Sequence, residues 1–134
     1  MQLCLEKFAA HYYEKYSKRD IEFLEREGRM LFLTFLSPLL NSHGYAHIES
    51  ETRDQQRMDI VLDYGCDQFI IELKIWHGNS LHQEAYEQLL GYMDSKNAQA
   101  GYLLTFDFRE EANKQRRAEW VEFDSGKRIF DVIM

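Results

Sequence analysis

Proline is almost missing from this chain, with Pro38 its single instance, and glycine occurs only seven times. No stretch is rich enough in either to serve as a low-complexity linker, so residues 1–134 read as one domain. Cysteine is scarce as well. Cys4 and Cys66 stand far apart with no Cys-x-x-Cys spacing, and read as two buried thiols in a reducing compartment. No apolar run approaches the roughly 20 residues of a membrane span, and no secretory apolar core opens the chain, so a cytoplasmic protein without a membrane partner is expected. A glycine-rich phosphate loop is lacking too, so the chain does not itself hydrolyse nucleotides. His77 and His82 are spaced wrongly to share a helix face, which disfavours a zinc site. Positive charge is in deficit, 16 Lys and Arg against 23 Asp and Glu. That argues against a protein that simply coats nucleic acid, which needs cations to neutralise phosphates, but it leaves room for an enzyme with a local basic rim.

What is abundant is β-branched and aromatic residues in short runs, above all from Arg57 to Trp76. This stretch reads as two strands turning back at Gly65-Cys66. Side chains alternate between faces of a strand, so Phe69, Ile71, Leu73 and Ile75 share one side, and Ile70, Glu72, Lys74 and Trp76 the other. In the first strand Met58, Ile60 and Leu62 oppose Asp59, Val61 and Asp63. A two-residue turn makes paired residue numbers sum to 131, which sets Asp59 across from Glu72 with Lys74 on the same face. Two opposed carboxylates repel unless a cation lies between them or one stays protonated. With a lysine alongside, they form a candidate site for a divalent metal and a phosphate.

The remaining elements follow from periodicity. A helix over residues 3–18 places Leu5, Phe8, Ala9, Tyr12 and Tyr16 at spacings of three and four, and residues 1–19 read as a helical appendage, or a connector within a longer parent. Its Tyr12, Tyr13 and Tyr16 are read as packing residues rather than a base-stacking set. A second helix runs from about Ile21 to Asn41, capped by Asp20, with Pro38 late enough to spare its start. Its apolar face is Leu24, Gly28, Leu31, Phe32, Phe35 and Leu39, where Gly28 allows close approach to a sheet; Glu25 borders that face and Glu27 points further toward solvent. Phe23 and Met30 on the opposite flank are a candidate homodimer seam. Ala46 to Thr52 reads as a weakly alternating strand. Ser80 with Gln83 forms a capping-box pattern for a helix from Leu81 to about Asn97, whose stripe Leu81, Ala85, Gln88, Tyr92 presents an amide and a phenol toward the sheet. From spacing alone Gln88 is equally readable as the edge of a stripe. Ala100 to Phe108 is an apolar, central strand reached by a parallel crossover. Residues 118–134 close the chain as a hairpin turning at Asp124-Ser125-Gly126. Arg109, Lys114, Arg116, Arg117, Lys127 and Arg128 gather in the last quarter, readable as a phosphate-facing rim or, more commonly, as a solvated face.

Taken together, Asp59, then Glu72-Leu73-Lys74 on a hairpin, then Gln88-xxx-Tyr92 on the next helix resemble the PD-(D/E)XK nuclease superfamily over about residues 20–108. The Gln-xxx-Tyr element is similar to the branch found in exonuclease domains of recombination helicases. The wording Glu-Xaa-Glu-Gly-Arg (Glu25 to Arg29), Arg57-Met58-Asp59, Ile71 to Trp76 and Gly101 to Leu104 is also similar to the nuclease-like domain at the C-terminus of a family of bacterial AAA-type ATPases. The resemblance implies an α/β (α+β), restriction-endonuclease-like core, a mixed central sheet flanked by helices in the order α-β-β-β-α-β with a C-terminal β-hairpin. It implies that Asp59, Glu72 and the Leu73 carbonyl hold Mg²⁺ or Mn²⁺, that Lys74 positions or deprotonates the attacking water, and that Gln88 and Tyr92 hold the lysine and contact the substrate backbone. Glu25 matches the helix glutamate of many members, with Glu27 its rival, and Met58 departs from the proline of the motif's name. The implied partner is nucleic acid, DNA first, with an AAA-type ATPase domain as a further partner. A non-catalytic module of the same fold, binding nucleic acid or regulating an ATPase, remains the alternative. Strand polarity, sequence preference and the choice between DNA and RNA leave no mark in these residues.

Overall fold

The computed structural model describes residues 1–16, 25–40, 44–48 and 60–134. In chain order these form helix α1 (Gln2–Tyr16), helix α2 (Glu25–Leu40), strands β1 (Gly44–Ile48), β2 (Ile60–Tyr64) and β3 (Asp67–Ile75), helix α3 (Asn79–Ser95), strand β4 (Ala100–Phe106), a short 3-10 turn (Glu111–Asn113), and strands β5 (Arg117–Glu122) and β6 (Arg128–Ile133). The described strands make one six-stranded sheet in the order β1-β2-β3-β4-β6-β5. The first three strands are an antiparallel meander, α3 carries the chain over to β4 parallel to β3, and β6 enters parallel to β4 with β5 antiparallel on its outer side. This is the mixed sheet flanked by helices that the sequence leads one to expect. Among the described residues no helix is long and apolar enough to cross a membrane.

The β2–β3 hairpin turns where its sequence says. Tyr64 pairs with Asp67 around Gly65-Cys66, and the register runs back to Ile60 opposite Ile71, so all five pairs sum to 131. Gly65 occupies the first central turn position at φ 63°, a left-handed backbone that glycine adopts without a Cβ clash and that matches the twist of the flanking strands.

Alternation along β3 then assigns the two sides of the sheet. Ile71 and Leu73, with Ile60 and Leu62, pack under α1 and α2 among Leu5, Phe8, Tyr12, Phe32, Leu36 and Phe106. Ile70 faces α3 and packs with Ala85, Leu89, Met93, Leu103 and Ile129. The α1 segment is more than an appendage. Leu5, Phe8 and Tyr12 are 5% exposed or less, and Phe8 and Tyr12 pack edge-on against Phe106 at 6.5 and 5.4 Å. Burying three such side chains contributes about 5–9 kcal/mol, comparable with the whole stability of a domain, so α1 is integral to the core.

Several elements differ from their sequence reading. In α2 the buried stripe is Gly28, Arg29, Phe32 and Leu36, whereas Leu31 and Phe35 are half-buried and Leu39 is exposed. Gly28 sets this roll, because a Cβ there would lie 2.4 Å from the Phe106 ring, so the helix touches the core through its own backbone at that point. β1 begins at Gly44, two residues before the expected Ala46, and residues 49–52 of the expected strand lie outside the described residues. Ser80 does not cap α3: Gly78 is the N-cap residue, with φ 111°, and no side-chain cap bond forms. Asp20, Phe23 and Leu24 lie outside the described residues, while Met30 of the candidate seam is exposed.

Candidate active site

Glu72 and Lys74 stand two residues apart on β3 and therefore on the same face, the one that α3 covers. The Lys74 Nζ lies 2.7 Å from Glu72 Oε1, and the side chains are 19% and 3% exposed. A pair this dry recovers little net stability, because desolvating both charges offsets most of their attraction. Packing alone therefore gives no reason to keep a charged pair here, next to Ile70 and opposite the apolar Leu103. The neighbouring strand sets Thr105 directly beside Lys74. Leu73, between the two charged residues, turns its side chain into the opposite core and is 5% exposed.

Asp59, the carboxylate expected across from Glu72, lies outside the described residues. What is described is the register leading up to it, which ends at Ile60 opposite Ile71. Glu25 opens α2 in the backbone, but its side chain also lies outside what is described; Glu27 is half-buried. Among the described residues no three His, Cys, Asp or Glu side chains gather so as to hold a metal ion. The Glu72 carboxylate and the Leu73 carbonyl, expected from the sequence as ligands, are oxygens of the kind a hard cation such as Mg²⁺ or Mn²⁺ takes, and their chemistry fits such an ion.

On α3 the buried stripe is His82, Ala85, Tyr86, Leu89 and Met93, not the stripe through Leu81, which is exposed. Gln88 and Tyr92 are half-buried on the flank of that stripe, and the Tyr92 hydroxyl is buried with no hydrogen-bond partner among the described residues. The reason for the roll is polar. His82 and Tyr86 reach across to Asp131 on β6, which fixes the roll of the helix and leaves Gln88 and Tyr92 to one side of the buried stripe.

That anchor is a second polar cluster, which the sequence reading did not foresee. Asp131 is fully buried, and its Oδ2 receives the Tyr86 hydroxyl at 2.6 Å, His82 Nε2 at 3.0 Å and an Arg117 guanidinium N–H. His82 Nε2 also lies 3.1 Å from Arg117 Nη2. One nitrogen cannot donate to a carboxylate and accept from a guanidinium at once, so the charge-assisted contact with Asp131 fixes Nε2 as the protonated one. Burial alone would raise the Asp131 carboxyl, but the bonds from His82 and Tyr86 and the charges of His82 and Arg117 outweigh it and hold it below the ordinary carboxylate range. Tyr86 moves the other way: burial, then the Asp131 hydrogen bond and charge, push its phenol well above its usual value. Aromatic contacts extend the cluster, with the His82 ring 5.1 Å from Trp76 and 4.9 Å from Tyr86. The legible signals were a lone acid in Ile129-Phe130-Asp131-Val132-Ile133 and a His and Tyr four apart on α3.

The cationic last quarter is largely engaged internally. Arg117 bonds Asp131, the mostly buried Lys127 bonds Asp94, and Arg128 lies 4.3 Å over the Trp120 ring. Arg109 lies 4.9 Å over Trp76 and forks onto Asp107 through Nε and Nη2 at 2.9 and 2.7 Å. Burial would raise the Asp107 carboxyl, but the side-chain and main-chain bonds from Arg109 and the main-chain bond from Gln115 bring it below its usual value. A free phosphate rim made of all six basic residues is therefore not what forms.

A family model described as the PD-(D/E)XK nuclease superfamily matches residues 45–118 of the chain. The matched region contains the whole β2–β3 hairpin, α3 and β4. No curated protein and no solved structure matches the chain significantly.

Proposed function

The chain belongs to the PD-(D/E)XK nuclease superfamily, and we propose that it is a Mg²⁺- or Mn²⁺-dependent nuclease that hydrolyses phosphodiester bonds of DNA. The observation that carries this reading is the buried Glu72 carboxylate with Lys74 Nζ 2.7 Å away, on one face of a hairpin whose register runs 131 throughout its described length. The same pairing continued by one residue would bring Asp59 opposite Glu72, and in this reading Asp59 is the second metal-binding carboxylate and the Leu73 carbonyl a further oxygen ligand. When bound, the cation polarises the scissile phosphate and lowers the pKa of a water.

The remaining work falls to the chain. Glu72, its side chain 3% exposed, offers a carboxylate from a largely desolvated place, where a bound cation offsets part of the cost of its charge. Lys74 keeps a positive charge beside the carboxylate, where it orients the attacking water and stabilises negative charge developing on the phosphate. Gln88 and Tyr92, half-buried beside the stripe of α3, hold the lysine and touch the substrate backbone in this reading. Glu25 is the further acid at the start of α2. Both cysteines are free thiols, but neither is buried as the sequence leads one to expect: Cys4 is half-buried, and Cys66 is exposed because it sits in the hairpin turn; a reducing, cytoplasmic setting suits them.

The test is incubation of the protein with linear double-stranded DNA in Mn²⁺, with and without EDTA, beside Lys74→Met. Metal-dependent cleavage that falls about 100-fold in the variant is the expected result. DNA left intact by the parent chain in both Mg²⁺ and Mn²⁺ would instead identify a non-catalytic member of the fold.

A further inference from the structure

Strand β4 is apolar along its buried length, Tyr102-Leu103-Leu104, until Thr105. Thr105 is 0% exposed and its Oγ1 has no hydrogen-bond partner among the described residues. A buried hydroxyl without a partner lowers stability, and valine, equally β-branched, fills the same space without that cost. The position is also specific. Parallel pairing sets Thr105 directly beside Lys74, and it shares the α3-facing side with Leu103, so its hydroxyl and the Lys74 side chain rise from the same face about 5 Å apart at the backbone. The Lys74 ammonium has three donors on a flexible stem, and Glu72 Oε1 takes one of them.

We propose that Thr105 is a positioning residue for Lys74: its hydroxyl accepts a hydrogen bond from the lysine ammonium once Glu72 commits its carboxylate to a cation. At rest the lysine leans on Glu72. With that carboxylate drawn to a metal ion, the ammonium needs another acceptor on the same face, and Thr105 Oγ1 supplies a neutral one that anchors the lysine without cancelling its charge. The inference rests on the nuclease reading above and adds to it a residue that no part of the Asp, Glu-x-Lys, Gln-xxx-Tyr pattern contains.

Thr105→Val and Thr105→Ser, compared with the parent and with Glu72→Gln, separate the possibilities. In metal-free protein Thr105→Val is expected to raise the melting temperature by about 2–4 °C, since an unpartnered hydroxyl is removed from the core. Its affinity for Mn²⁺, measured by calorimetry, stays within twofold, because the hydroxyl is not a metal ligand. Its kcat on linear DNA falls about 10- to 100-fold while KM stays within twofold, and Thr105→Ser retains most of the parental kcat. Parental kcat in Thr105→Val, or a serine variant as poor as the valine one, overturns the proposal. A lowered melting temperature in Thr105→Val does the same, because it would mean the hydroxyl already holds a structural partner. Failure of the parent itself to cleave, with no difference from Glu72→Gln, overturns the nuclease reading and this inference with it.

Discussion

Asp131→Asn keeps the shape of the side chain and removes only its charge, so its cost can be worked from the contacts. One oxygen, Oδ2, receives three donors, from His82, Tyr86 and Arg117. A hydrogen bond to a charged acceptor contributes about 1.5–3 kcal/mol and one to a neutral acceptor about 0.5–1.5, so three bonds lose roughly 3 kcal/mol in all. Against this, a neutral amide is cheaper to bury than a carboxylate. The Arg117 side chain is 32% exposed, so water compensates part of its lost counter-charge. The net expectation is about 2 kcal/mol, a substantial part of the roughly 5–15 kcal/mol that holds a domain together. Urea unfolding followed by circular dichroism should show the midpoint falling with the slope unchanged, and a melting temperature lower by about 6–10 °C. Tyr86→Phe, which removes one of the three donors, should cost about half as much. An Asp131→Asn loss below about 0.5 kcal/mol, or one no larger in the parent than in a Tyr86→Phe background, would refute the claim that this carboxylate pins α3 to β6.

The same carboxylates set the acid limit of the fold. Asp107 and Asp131 both lie below the ordinary carboxylate value of about 3.9, so their contributions are whole above that pH and are lost as pH falls through the lowered values. Stability should therefore decline through and below pH 4, and Asp131→Asn should flatten that decline when unfolding midpoints are measured across pH 2–6. Gly28→Ala gains up to about 1 kcal/mol of helix propensity but forces a methyl to within 2.4 Å of a fully buried Phe106 ring, for which overpacking costs about 1–3 kcal/mol. A net loss near 1 kcal/mol in urea unfolding is expected; a more stable variant would show that α2 can lift away freely. Lys74→Met removes a charge from beside Glu72 and should slow metal-dependent cleavage of linear DNA about 100-fold in a steady-state assay.

The hairpin was legible because its information is local. Gly65-Cys66 marks the turn, and once the turn is known, alternation leaves one register that buries Ile60, Leu62, Ile71 and Leu73 together. The parallel crossover through α3 to β4 followed from an apolar strand preceded by a helix. The roll of the helices was not legible. In α2, leucines and phenylalanines nearly encircle the axis, and the choice of Gly28, Phe32 and Leu36 over Leu31, Phe35 and Leu39 depends on contact with Phe106, more than sixty residues downstream. In α3 the roll depends on Asp131, which reaches His82 and Tyr86 only because β6 inserts between β4 and β5. No spacing in the chain announces that insertion. Ser80 is a good cap by composition, but the chain turns at Gly78 and the helix has begun before Ser80 is reached. Of the expected site, Glu72 and Lys74 lie 2.7 Å apart, Gln88 and Tyr92 are half-buried beside the stripe of α3, and Asp59 and the Glu25 side chain lie outside the described residues.

Glu72 is, in the function proposed above, half of a cation site. The most direct measurement is titration of Mn²⁺ into the parent chain and into Glu72→Gln and Asp59→Asn by calorimetry, with cleavage of linear DNA followed on the same samples. Saturable binding by the parent, accompanied by cleavage, and loss of both in each variant are the expected results. Mn²⁺ binding and cleavage at parental levels in Glu72→Gln would contradict it.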